Sequence, residues 1–181
     1  MAPKITKLTF VIFAVSCLFL NVNGQDIRQI TEGLLKQELG KSITIAEEKF
    51  TIPAKAKKSA ESAAKQKFLN DFIYIYKVSE KGKIKAYGFL DNVKGKAMPI
   101  TFLVVFNTKG VILSSHIVKY REQYGGEVAS KDWNKDFKGM DANSDFTVGK
   151  SIDSISGATI SVNSVSKGIK KLAILFKEII K

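Results

Sequence analysis

The sequence predicts an α+β protein, a single domain in which an antiparallel sheet of about four strands is packed by N-terminal helices and a C-terminal amphipathic helix. Three observations predict it. Between Phe72 and Tyr120, apolar and β-branched residues come in short runs separated by turn signals. Segments of helical period stand before and after those runs, not between them, which argues against a doubly wound sheet. The 181 residues, 45% hydrophobic and 10% aromatic, are enough for one packed core and poorly suited to disorder, collagen or a coiled coil.

Residues 1–24 have the three parts of an export signal. Lys4 and Lys7 give a positive start, Leu8 to Leu20 is mostly apolar, and Asn21-Val22-Asn23-Gly24 closes the segment. The apolar run is short for a membrane span, which needs about 20 residues. Val22 and Gly24 occupy the small-residue positions of a cleavage site before Gln25. The alternative is an uncleaved N-terminal anchor. A lipoprotein signal through Cys17 fits less well, because the apolar run continues beyond it and Ala14 stands where leucine is usual.

Residues 25–70 form an N-terminal helical region and residues 71–181 the main domain. Ile27, Ile30, Leu34 and Leu35 recur at helical spacing, with Gly40 as a stop. Ser42 to Ile52 is a short extended piece ending at Pro53. Ala54 to Phe68, rich in Ala, Lys and Glu, is a mostly exposed helix. Strands follow at Phe72–Val78, Lys83–Leu90, Ile100–Phe106 and Val111–Tyr120, joined by turns such as Lys81-Gly82 and Asn107 to Gly110. The last helix puts Val165, Ile169, Leu172, Phe176 and Ile179 on one face and Lys167, Lys170, Lys171, Lys177 and Glu178 off it, with Asn163 or Ser164 as its cap.

Charge and rare residues limit the chemistry. Lys+Arg number 29 against 17 Asp+Glu, a formal net charge of +12. Arg28 and Arg121 are the only arginines, so the excess lacks the planar fork that reads guanine edges or clamps phosphates. It is also spread over the export signal, the Lys55–Lys67 run and the last helix, which points away from nucleic acid and toward anionic redox partners or lipid headgroups. One Cys and one His exclude thiolate zinc sites, iron–sulfur clusters and an internal disulfide framework. No GxGxxG or GxxxxGK[ST] occurs, which removes support for those nucleotide-binding folds. His116 lies inside a predicted strand and is not a catalytic candidate.

One segment carries chemistry. Asp153-Ser154-Ile155-Ser156-Gly157-Ala158-Thr159-Ile160-Ser161 sets small residues around a threonine hydroxyl and runs into a helix N-terminus. Free backbone N–H groups and the positive dipole end favour a phosphate at such a place. On local chemistry the segment is either an anion site or a Ser/Thr-rich loop that merely caps a helix.

Asp153-x-x-Ser156-Gly157-Ala158-Thr159 resembles the flavinylation motif of the FMN-binding domain family, which includes peripheral subunits of the sodium-pumping NADH:quinone oxidoreductase and of Rnf complexes. Tyr87-Gly88-Phe89, Met98-Pro99-Ile100 and Tyr120-Arg121-Glu122-x-x-Gly125-Gly126-Glu127 are similar in order and spacing, so the resemblance spans roughly Phe72 to Lys181. It implies that Thr159 carries FMN through a phosphoester made by a separate flavin transferase, with Asp153, Ser156, Gly157 and Ala158 as the recognition segment and Ser161 close by. It also implies that Glu122 to Glu127 lines the flavin. Relatives have a Glu-Thr-Pro-Gly pattern there, whereas this chain has Glu122-Gln123-Tyr124-Gly125-Gly126. Tyr124 either stacks on the ring or packs ordinarily, as does Trp133, while Gly125 and Gly126 permit close backbone approach and Met98 lies beside the ring.

The resemblance implies an exported, covalently flavinylated carrier of extracytoplasmic electrons, periplasmic or on the outer face of the membrane. Its partners would be the transferase and redox proteins, among them a membrane electron-transfer complex, and not nucleic acid. Two other readings remain at this stage. One is a secreted or cell-surface binding domain that no longer carries a cofactor. The other is a flavin enzyme, for which only Glu122 or Tyr124 offers an acid or base.

Overall fold

The computed structural model describes residues 27–180; residues 1–24, expected to be an export signal, lie outside them. The elements run in order α1 (Ile27–Leu39), β1 (Thr44–Thr51), α2 (Ala54–Ala64), β2 (Phe72–Glu80), β3 (Lys83–Lys94), β4 (Pro99–Asn107) and β5 (Ile112–Lys119), then a short α3 (Lys131–Asn134) between two 3-10 turns, and finally α4 (Thr159–Ile179). The class is the expected α+β, with five strands instead of about four.

All five strands pair antiparallel in the order β1-β2-β3-β4-β5, a simple meander. The added strand is β1, the short extended piece, which pairs with β2 over its whole length from Thr44↔Ser79 to Thr51↔Phe72. Glu47, Glu48 and Lys49 give this edge a charged character that discourages pairing with other chains.

Helices cover both faces. On one face α1 packs Leu35 against Tyr76, Val78, Leu103 and Val105, with Ile27, Ile30 and Leu34 partly buried around them. On the other, α4 lays Val165, Ile169, Leu172 and Phe176 over Phe89, Phe102, Val104 and Phe106. Phe176 closes an aromatic cluster, 5.6 Å from Phe89 and 4.9 Å from Phe106 between ring centroids. Coverage on both sides explains why β4 is a continuous apolar run instead of an alternating one, since residues Ile100 to Phe106 are all buried.

Helix α4 approaches the sheet closely at Gly168, where a Cβ would lie 2.6 Å from Val93 Cγ1 and 2.8 Å from Phe102 Cζ. It is also buried on a second side by α2, whose Ala56, Ala60 and Ala64 face inward. This second contact overturns the expected position of Lys171. It does not lie off the buried face: it is fully buried, 3.2 Å from an Asp91 carboxylate oxygen. Its Nζ donates to the Lys67 carbonyl and sits 3.9 Å from the centre of the Phe68 ring. The remaining lysines of the α2 run behave as a solvated face, with Lys67 paired to Glu61 and Lys57 to Asp71.

Candidate functional site

Three segments converge at one end of the sheet: the turn between β3 and β4, the loop after β5, and the start of α4. Each is fixed by an identifiable interaction.

The turn between β3 and β4 is held from the loop after β5. Glu122 Oε1 accepts from the Ala97 N–H at 2.8 Å and the Met98 N–H at 3.0 Å. Those two backbone donors keep the Glu122 carboxyl below its ordinary range, the Met98 bond contributing most. Arg121 Nη1 donates to the Pro99 carbonyl at 2.9 Å and to Thr101 Oγ1 at 3.0 Å. Consecutive side chains thus clamp the turn and the start of β4. Gly95 leaves room for the clamp, because a Cβ there would lie 2.3 Å from Glu122 Oε1.

The loop after β5 is tied in turn to α4. The Tyr120 hydroxyl donates to the Tyr124 carbonyl and lies 2.9 Å from Ser161 Oγ. Gly125 has φ +82°, and a Cβ on it would lie 2.9 Å from the Tyr120 hydroxyl and 3.3 Å from Ala158 Cα. Glycine is required there both for the left-handed backbone and for the close packing.

Helix α4 begins at Thr159 with Ala158 as its N-cap, five or six residues earlier than a cap at Asn163 or Ser164 would place it. Asn163 instead lies within the helix, one turn after Thr159, its Nδ2 donating to the Thr159 carbonyl at 2.8 Å. The N-cap is Ala158, which has no side-chain oxygen to satisfy the first amides. The first helical bond of this end runs from the Val162 N–H to the Ala158 carbonyl, so the Thr159, Ile160 and Ser161 amides lack an acceptor within the helix. Thr159 is exposed, and its hydroxyl makes no hydrogen bond with the described residues. Gly157, at φ +79° with open space around its Cα, lets the chain turn into the helix without covering that hydroxyl.

Together these segments enclose an open pocket of about 680 Å³. Gly157, Ala158, Thr159 and Ser161 line it from the motif, and Met98, Glu122 and Tyr124 from the other two segments. Among the described residues, large apolar side chains with high exposure include Met98 (46%), Tyr124 (74%) and Ile160 (50%), and all three stand at this pocket. Lys96 and Arg121 add positive charge to its lining.

The remaining sequence candidates do not line the pocket. Asp153 and Ser156 are exposed on the approach to it, and Asp153 is anchored through its backbone: its N–H donates to Asp136 Oδ2 and its carbonyl accepts from Trp133 Nε1. Gly125 lies behind the wall and Gly126 begins a 3-10 turn. Trp133 is buried edge-to-face against Phe137, away from the pocket. Sequence reasoning gave no role to Tyr120, Lys96, Gly95 or Ile160. Ile160 had a readable signal, since it is apolar and lies off the buried stripe of α4. Tyr120 had none, because Ser161 is remote from it in the sequence and its other partner, Tyr124, is reached only through a backbone carbonyl.

Residues 95–173 match the FMN-binding domain family. The chain carries an FMN-binding domain. The match contains every segment of the pocket, from the turn between β3 and β4 to the first turns of α4. Among curated proteins none matches this chain. The donor set fits the cofactor: uncapped amides and a free hydroxyl suit its phosphate, and an apolar, partly aromatic rim suits a planar ring system. Among the described residues the FMN-binding domain has no His/Cys/Asp/Glu cluster able to hold a metal, and no helix long and apolar enough to cross a membrane.

Proposed function

We propose that this FMN-binding domain carries FMN covalently on Thr159 and serves as an exported electron carrier. The observation that carries the reading is the position of the motif hydroxyl, exposed and unbonded beside an uncapped helix N-terminus on the wall of the pocket. When bound, FMN supplies reversible acceptance and donation of electrons.

The residues have separable tasks. Thr159 Oγ1 would attack the flavin-side phosphorus of a flavin dinucleotide held by the transferase, the P–O–P bond breaking so that the nucleoside monophosphate leaves, while the threonine proton passes to a base of the transferase. A threonine hydroxyl is a weak nucleophile by itself, and no histidine, cysteine or lysine of the pocket touches it. The Thr159, Ile160 and Ser161 amides and the positive end of α4 hold the phosphate oxygens. Met98, Tyr124 and Ile160 exclude water from one side of a ring, while Lys96 and Arg121 favour negative charge on what lies between them. Tyr124 and Met98 leave an open edge, which suits electron exchange with a protein partner. Carriage outside the cytoplasm agrees with the export-type N-terminus and with a covalent link, since a dissociated cofactor would be diluted there.

Variants of Thr159 test the reading. Made together with a flavin transferase and then denatured, wild type and Thr159→Ser should keep yellow fluorescence with the polypeptide. Thr159→Ala should lose it entirely, with an unchanged near-ultraviolet circular dichroism spectrum, because the Thr159 side chain makes no fold-bearing bond. Fluorescence that persists in the alanine variant after denaturation would overturn the assignment.

A further inference from the structure

A second concavity lies on another part of the molecule. It is a groove of about 340 Å³ between α1, strand β5 and the α3 segment, and it shares no lining residue with the flavin pocket. Leu34 from α1 and Leu113 and Ile117 from β5 contribute its apolar part. Lys131, Lys135 and Lys138 stand along it from the α3 side. Lys135 pairs with Asp132, but Lys131 and Lys138 have no ion pair among the described residues. The carboxylate in the groove, Glu38, faces His116 at 3.4 Å.

Ser114, His116 and Glu38 superficially suggest a hydrolytic triad, and the geometry rejects it. Ser114 Oγ lies 3.1 Å from His116 Nε2, and Glu38 Oε1 approaches that same nitrogen. A relay needs the acid on one ring nitrogen and the hydroxyl on the other. His116 Nδ1 makes no hydrogen bond with the described residues. The ring therefore serves as wall and polar contact, not as a base acting on Ser114.

We propose that this groove binds a small organic anion with an apolar body, a medium-chain carboxylate being the simplest member of the class. The size falls within the range of small-molecule sites, and an apolar lining with a few convergent polar groups is their usual character. With Lys135 offset by Asp132, Lys131 and Lys138 against the one lining carboxylate, Glu38, leave the groove net positive, so the charged end of a ligand belongs beside Lys131 and Lys138 and its chain against Leu34, Leu113 and Ile117. Burial holds the His116 ring below its ordinary range, and the facing Lys131 adds to this while Glu38 opposes it. A neutral imidazole can accept or donate to the ligand without competing for its charge. This site does not depend on the flavin reading.

Decanoate is the probe. His116 is the chain's only histidine, so its ring protons give one unambiguous set of NMR signals. Decanoate added to the full protein should shift them along a saturating curve, below its micelle concentration. Acetate, which has the head without the tail, should bind at least about tenfold more weakly, and decyltrimethylammonium should leave the signals in place. Reversing two charges together, Lys131→Glu with Lys138→Glu, should weaken decanoate by about tenfold or more. Both lysines are exposed, so the amide spectrum elsewhere should be retained. A lack of saturation, unchanged affinity in the charge-reversed protein, or equal binding of the cationic amphiphile would overturn the proposal.

Discussion

Glu122 is a single carboxylate that shapes the pocket at the start of α4 through the backbone it holds. Its Oε1 accepts from both the Ala97 and Met98 amides, and so it fixes the wall on which Met98 stands. Its folded pKa lies below its unfolded one, so its contribution is complete above the ordinary carboxylate value and fades as pH falls through the folded one. Exchange protection of the Ala97 and Met98 amides should therefore be present at neutral pH and decline on strong acidification. In Glu122→Ala it should be absent throughout, whereas Glu122→Gln should keep part of it through the amide oxygen. Undiminished protection in the alanine variant, read by hydrogen exchange, would refute this role. The small residues that leave Thr159 exposed ahead of a helix were legible in the sequence, because that is a local pattern. The clamp of Arg121 and Glu122 was not, since it depends on a turn more than twenty residues away that only the sheet brings close.

Helix α4 links the pocket to the core, and two substitutions test how tightly. Replacing a mid-helix glycine by alanine ordinarily gains up to about 1 kcal/mol. At Gly168 the new methyl would meet Val93 and Phe102 below 3.0 Å, so Gly168→Ala should instead destabilise by about 1–3 kcal/mol in denaturant unfolding. A stabilised variant would mean that α4 sits farther from the sheet. Lys171 is the second case. Burial pushes Asp91 upward and Lys171 downward, each toward its neutral form, while their mutual attraction opposes both shifts. Asp91 Oδ2 has the ion-pair contact but no aligned hydrogen bond, so the pair is imperfectly compensated. Lys171→Met alone should cost about 3–5 kcal/mol by stranding Asp91, and Lys171→Met with Asp91→Leu should recover much of that loss. Equal losses in the single and double variants would contradict the argument. The apolar stripe of α4 was readable from period alone. Its start was misplaced because Asn163 and Ser164 are better caps than Ala158. Its second buried side was invisible because it is created by α2.

At the scale of the molecule, the meander and the helices that cover it explain how three separate segments come to wall one pocket. Five antiparallel strands with a core on each face set the ends of β3, β4 and β5 beside the start of α4. The class and four of the strands were legible because their periods and turns are local signals. Strand β1 was read only as an extended piece, since its charged, alternating sequence gains a partner across the whole of α2. The net charge of +12 is now partly placed: Lys171 is internal, Lys96 belongs to the pocket at the start of α4, and Lys131, Lys135 and Lys138 belong to a separate groove. The central claim, a covalent flavin on an exported carrier, is tested most directly by the intact mass and visible absorbance of the protein purified from a host with a flavin transferase. A mass higher by one FMN less one water, with a flavin spectrum that survives denaturation, is the predicted result. A colourless protein of unmodified mass would contradict it.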